Sequence, residues 1–170
     1  MLEDHNAVLV ACYSQHPLVP KLREHAKGKH VLGIFEASIT VALQIVSAER
    51  KEKFGIVSTG KVWEKLLGDG VMQMLGTASG SSDSPFAGIE TTGLNATELH
   101  DAPQEEVKRK IKQATRRLVD RGNVKVVILG CAGMAGMDEW VREEVDERVK
   151  IVDGLKAGVG ALQGLVRGRF

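Results

Sequence analysis

Cys12 and Cys131 are the two cysteines of a 170-residue chain, and each closes an apolar run of the same form, AVLVAC at 7–12 and VVILGC at 126–131. A thiolate is both nucleophile and base, and a thiol at the start of a helix ionises more readily because the positive end of the aligned peptide dipoles faces it. Two thiols on opposite sides of one substrate can take a proton from a carbon and return one to its other face, inverting a stereocentre without metal or organic cofactor. Cysteine has plainer uses. It is among the most buried residue types, and a strand end is an ordinary place to bury it. A redox disulfide is a third use, which needs the sulfurs within bonding distance, whereas bases flanking a substrate stand farther apart. That the two cysteines end equivalent runs favours the paired function.

The flanking residues suit such a site. After Cys131 come Ala132, Gly133, Met134, Ala135 and Gly136, small residues that let the backbone turn sharply and bring its amides close to a bound anion. After Cys12 come Tyr13, Ser14, Gln15, His16 and Pro17, with the Ser14 hydroxyl near the same space and Pro17 suited to open a helix. FGIVSTG at 54–60 is a third unit of this kind, ending in the hydroxyls of Ser58 and Thr59. In an open parallel sheet, ligands bind beyond the carboxyl ends of the strands.

Strands are predicted at 7–11, 30–35, 53–58, 88–92, 124–130 and 149–152, each short and near-continuously apolar or β-branched. Between them the spacing predicts helices at 17–27, 37–51, 61–75, 103–121, 135–148 and 153–166. The alternation gives an α/β fold with a parallel sheet covered by helices. In the 103–121 segment Val107, Ile111, Ala114 and Leu118 form one apolar stripe, and Lys108, Lys110, Lys112, Arg116 and Arg117 form a solvated face. GTASGSSDSP at 76–85 reads as a loop, either a connector or a lid.

Composition narrows the partners. With 43% hydrophobic residues and 23 Lys+Arg against 22 Asp+Glu, the chain has no large field to attract nucleic acid, and its densest basic stretch is flanked by Glu105, Glu106 and Asp120. No apolar run approaches the roughly 20 residues that span a bilayer, and no basic segment followed by an apolar signal core opens the sequence. A small-molecule substrate is the expected partner, not nucleic acid or membrane. Two cysteines suit a reducing, cytoplasmic setting, and a homo-oligomer stays open.

Other signals are weaker. GVGALQG at 158–164 approaches a dinucleotide fingerprint, but too little chain follows for a second strand, so Gly158, Gly160 and Gly164 read as small residues for close helix packing. His5, His16, His25, His30 and His100 show no metal-ligand spacing. His16 alone is near a thiol in sequence, where it either steers the Cys12 proton or sits exposed in a turn. Glu36 is either a carboxylate behind the site or one favoured by a helix start. Tyr13, Trp63 and Phe86 border a pocket or fill the core. Ser79, Ser81, Ser82 and Ser84 lie in no G-x-S-x-G elbow.

VLVACYSQHPLV at 8–19, GIFEAS at 33–38, GIVSTG at 55–60 and VVILGCAGM at 126–134 resemble, in order, the Asp/Glu/hydantoin racemase family, in particular its fungal branch. The resemblance covers nearly the whole chain and is weakest over 76–103. It implies two pseudo-symmetric α/β lobes around a cleft, here 1–52 plus 149–170 and 53–148. It also implies cofactor-independent racemisation, with Cys12 and Cys131 as the catalytic pair and Ser14, Ser58, Thr59, Ala132 and Gly133 holding the substrate. Hydantoins such as allantoin, or free amino acids, are the substrates it suggests. Family members usually open with a strand and a V-N-P-N-S/T turn before the first cysteine, whereas Cys12 comes here almost at once. The first lobe is therefore expected to be incomplete, and a non-catalytic family member that binds a metabolite or a partner subunit is the alternative.

Overall fold

The computed structural model describes residues 4–76 and 84–170, so most of the 76–85 stretch lies outside the described residues. Among the described residues six strands are observed: β1 (Ala7–Val10), β2 (His30–Gly33), β3 (Lys53–Ser58), β4 (Phe86–Thr91), β5 (Val124–Leu129) and β6 (Lys150–Asp153). The helices are α1 (Leu18–His25), α2 (Ile34–Ile45), α3 (Val62–Leu75), α4 (Glu98–Asp101), α5 (Gln104–Val119), α6 (Asp138–Arg142) and α7 (Gly154–Gly168), with a 3₁₀ turn at Ala132–Met134. Every strand pair is parallel, in a two-stranded sheet β1-β2 and a four-stranded sheet of order β4-β3-β5-β6. The α/β reading holds.

Side chains of β5 alternate between two cores, as a pleated strand buried on both faces requires. Val127 and Leu129 join Val107, Ile111, Ala114 and Leu118 of α5 on one face. Val126 and Ile128 join Phe35 and Ile39 of α2 and Leu67 and Val71 of α3 on the other. The cations of α5 are paired: Lys108 with Glu143 at 2.8 Å, Lys112 with Glu143 at 3.1 Å and Glu144 at 2.9 Å, and Arg116 with Glu144 at 2.5 Å. At the outer edge of β4, Arg121 donates to the carbonyls of Ala87 (2.9 Å) and Ile89 (3.1 Å), and Arg117 to that of Thr91 (2.8 Å). Both guanidinium groups also bind Glu90. Such capping blocks the pairing of another strand.

Several expected boundaries are corrected. Ile34 and Phe35 continue an apolar run from β2, yet they open α2, because the first turn of this helix is buried except at Glu36. That helix ends at Ile45, where the Glu52 carboxylate takes the Ser47 amide at 2.9 Å and Asn123 binds the carbonyls of Arg50 and Lys51. The helix expected at 135–148 shrinks to α6, since Gly136 has a φ of +82° and Asp146 accepts the Arg148 amide in a turn. α4 was not anticipated. β6, grouped by sequence with the first lobe, pairs with β5 in the larger sheet, whereas α7 after it packs on β1, β2 and α2. Gly158 of α7 lies against Leu9 and Ile34, but Gly160 and Gly164 have open space beside them, so close packing explains only the first.

Candidate functional site

Cys12 sits just past β1 and is exposed, its Sγ 3.7 Å from the Ser14 hydroxyl. What fixes it is Tyr13. This side chain turns inward, is 5% exposed, and meets Phe35 edge to face at 5.5 Å. Its hydroxyl donates to Ser38 Oγ at 2.9 Å, which in turn donates to the Phe35 carbonyl at 2.9 Å. The ring lies 3.3 Å from where a β-carbon on Gly154 would stand, so the Cys12 loop rests on the turn between β6 and α7. Gln15 lies equally close to Gly70 of α3, at 3.1 Å by the same measure. Burial pushes the Tyr13 phenol well above its ordinary range, and the Glu36 charge adds to the shift.

Cys131 follows β5 and caps the 3₁₀ turn from an extended conformation, half-buried. Burial pushes its thiol up, and the Gly133 amide, hydrogen-bonded to the sulfur, pulls it back. Cys12 is near enough for its charge to push Cys131 further up, while the Met134 amide gives a smaller opposing pull. The two sulfurs thus share a neighbourhood at the carboxyl ends of strands from different sheets. No disulfide joins them.

The remaining expected residues divide by what they touch. Ser58 is 1% exposed, and its hydroxyl donates to the Gly130 carbonyl at 2.7 Å, so its proton is spent on the residue before Cys131. A β-carbon on Gly130 would run into Ile56 and stand 3.0 Å from the Val57 carbonyl, which only glycine tolerates. Thr59 is 2% exposed and its carbonyl accepts the Gly93 amide at 3.0 Å, tying the ends of β3 and β4 together. Ser14 stands beside Cys12, and Ala132 and Gly133 beside Cys131. The Gly133 amide serves the sulfur.

His16 is a turn residue: its Nδ1 accepts the Leu18 amide at 3.1 Å at the start of α1. Trp63 and Phe86 pack on the core from its margin. Glu36 lies against Gly33 with one carboxylate oxygen buried and unpartnered. Sequence reasoning weighed His100 only as a metal ligand and took His16 alone to be near a thiol, whereas the His100 Nε2 approaches Gly133 from α4. A helix of four residues leaves no periodic signal, although the Thr97 to Pro103 run of polar and proline residues marks a local turn. Among the described residues, no three His, Cys, Asp or Glu gather to hold a metal ion, and no helix is long and apolar enough to cross a membrane.

"Uncharacterized protein C1F7.10" of Schizosaccharomyces pombe is 43% identical over 169 residues, which cover 97% of this chain and 66% of that protein. The hydantoin racemase of a Pseudomonas species is 26% identical over 164 residues, 96% of this chain and 59% of its own length. The crystal structure of allantoin racemase from Pseudomonas fluorescens superposes with a TM-score of 0.75 at 25% identity, over 95% of this chain and 62% of that one. The chain therefore spans about two thirds or less of the length of these relatives. The model of the Asp/Glu/hydantoin racemase family matches residues 2–162. With that match running through both cysteine-bearing strands, the chain belongs to the Asp/Glu/hydantoin racemase family.

Proposed function

We propose that the protein is a cofactor-independent racemase or epimerase in which Cys12 and Cys131 exchange protons with a carbon acid between them. The observation that carries the reading is the convergence of the two cysteines, from separate sheets, to where the charge of one affects the other. Cys131, its ionisation disfavoured chiefly by burial, rests as the thiol and is the proton donor when Cys12 is the base. The Cys12 thiolate takes the proton from the stereocentre, the electron pair passes into the adjacent carbonyl, and the Cys131 S–H delivers its proton to the opposite face. Cys12 ends as thiol and Cys131 as thiolate. The Gly133 amide favours that thiolate without competing for the proton.

The substrate class is a hydantoin, allantoin included, or an amino acid, in each of which a carbonyl acidifies the carbon. Ser14, Thr59 and the Ala132 amide are assigned to its polar groups, while Ser58 and the Gly133 amide act through Gly130 and Cys131. The test is solvent deuterium incorporation at the stereocentre of an enantiopure 5-substituted hydantoin, followed by NMR. Incorporation that disappears in Cys131→Ser supports the reading; undiminished incorporation in that variant overturns it.

A second reading is favoured by one observation: among the described residues, β1 pairs with β2 alone. In that reading the chain binds a small metabolite or a partner subunit without turnover. Saturable hydantoin binding with no deuterium incorporation would select it.

A further inference from the structure

Two-base proton exchange leaves the thiols in swapped forms, so Cys131 must exchange its proton with something other than substrate before the same direction can run again. That sulfur is half-buried, which slows direct exchange with water. On α4, Leu99 turns into the core at 4% exposure, and the adjacent His100 is left at the surface. From there the imidazole reaches back over the 3₁₀ turn. A β-carbon on Gly133 would stand 3.5 Å from His100 Nε2, 3.7 Å from Cys131 Sγ and 3.2 Å from Leu99 Cδ1. Imidazole and thiol therefore lie on the same side of one glycine, in a space that a side chain at position 133 would occupy.

We propose that His100 is a positioning residue for Cys131, relaying from solvent the proton that this sulfur must regain between turnovers, and carrying it away when the reaction runs in reverse. The step balances: the N–H bond at Nε2 of the imidazolium breaks and an S–H bond forms on the Cys131 thiolate, directly or through one water, leaving a thiol beside a neutral ring that takes its next proton from solvent. The reverse step gives thiolate and imidazolium. Imidazole suits the task because it binds and releases protons near neutrality, and its surface position connects the sulfur to solvent. The Gly133 amide favours the ionised sulfur, whereas the Met134 amide is donated at 3.0 Å to the Cys131 carbonyl. The inference rests on the two-thiol reading in its catalytic part and stands apart from it in its effect on Cys131 itself.

The test is the rate at which iodoacetamide labels Cys131 in the whole protein at neutral pH, located by mass spectrometry, with Cys12 labelling as the internal reference. His100→Gln is expected to slow Cys131 labelling about tenfold, the effect of a one-unit rise in a thiol's pKa, and added imidazole to restore part of it. Gly133→Ala, which fills the shared space, is expected to slow it in the same sense. In racemisation, His100→Gln is expected to lower kcat with little change in KM, again with recovery in imidazole. Because His100 is exposed, an unaltered thermal melt is expected and serves as the folding control. Wild-type labelling rates in His100→Gln overturn the proposal whatever the activity. Slowed, imidazole-rescued labelling in a protein that incorporates no deuterium upholds the His100–Cys131 pair and removes the racemase reading instead.

Discussion

The ring of Tyr13 lies 3.3 Å from where a β-carbon on Gly154 would stand, and this contact joins the loop carrying Cys12 to the end of a strand in the other sheet. The position of one sulfur relative to the other thus depends on an aromatic ring beside a glycine. Tyr13→Ala is expected to cost about 3–5 kcal/mol in urea unfolding, as removal of a buried aromatic does, and to abolish deuterium exchange at temperatures where the chain remains folded.

Tyr13→Phe separates the hydroxyl from the ring. Losing the bond to Ser38 is expected to cost about 1 kcal/mol. The alkaline limb should change as well. The folded phenol is held above its ordinary value of 10.0, so the unfolded chain releases that proton first, and wild-type stability falls as pH rises beyond this point. In Tyr13→Phe the fall should be shallower, read from unfolding midpoints on either side of pH 10.

The backbone ahead of Cys131 is held by Ser58 and by the absence of a side chain at Gly130. Ser58→Ala leaves a buried carbonyl without that donor and is expected to destabilise by about 1–3 kcal/mol. Gly130→Ala forces a methyl against β3 and is expected to cost a similar amount, about 1–3 kcal/mol, by overpacking. Both should lower activity of the folded protein, because each moves the strand end that carries the sulfur.

Charge coupling between the thiols predicts an effect in the absence of substrate. Burial is the main reason Cys131 resists ionisation, but Cys12 contributes. In Cys12→Ser, labelling of Cys131 by iodoacetamide should therefore be faster than in wild type at a pH just below the ordinary thiol value of 9.0. An unchanged rate would place the sulfurs too far apart to share a substrate.

Glu90 predicts the acid limb. Partial burial pushes its carboxyl up, but hydrogen bonds from Arg117 and Arg121 outweigh this and hold it below its ordinary value of 4.5. The stabilisation it gives is complete above that value and is lost as pH falls through the lower folded one. Glu90→Gln should weaken the protein at neutral pH and flatten the decline below pH 4.5, measured by thermal melts across that range.

Much of this was legible in the amino-acid order. Strands such as β5 stand out because burial on both faces makes every residue apolar, and the α5 stripe of Val107, Ile111, Ala114 and Leu118 marks a helix with one wet side. The same rule misled at Ile34 and Phe35, where a largely buried helix start looks like more strand. Cys12 and Cys131 were conspicuous because the chain has two of a chemically distinctive residue and both end strands. Gly154 and His100 were not, since their meaning comes from Tyr13 and Cys131, which lie far from them along the chain. Ser58 was legible as a hydroxyl at a strand end, but not that its proton goes to a neighbouring carbonyl.

The path of α7 has a thermodynamic consequence. A pair of four-residue strands is too small to persist in water unaided. Here β1 and β2 lean on a helix whose first residue follows directly from β6, so the minor sheet borrows its persistence from the major one. Heating should accordingly melt both together, and the amides of Val8 and Val10 should trade hydrogen for deuterium only when the whole molecule opens.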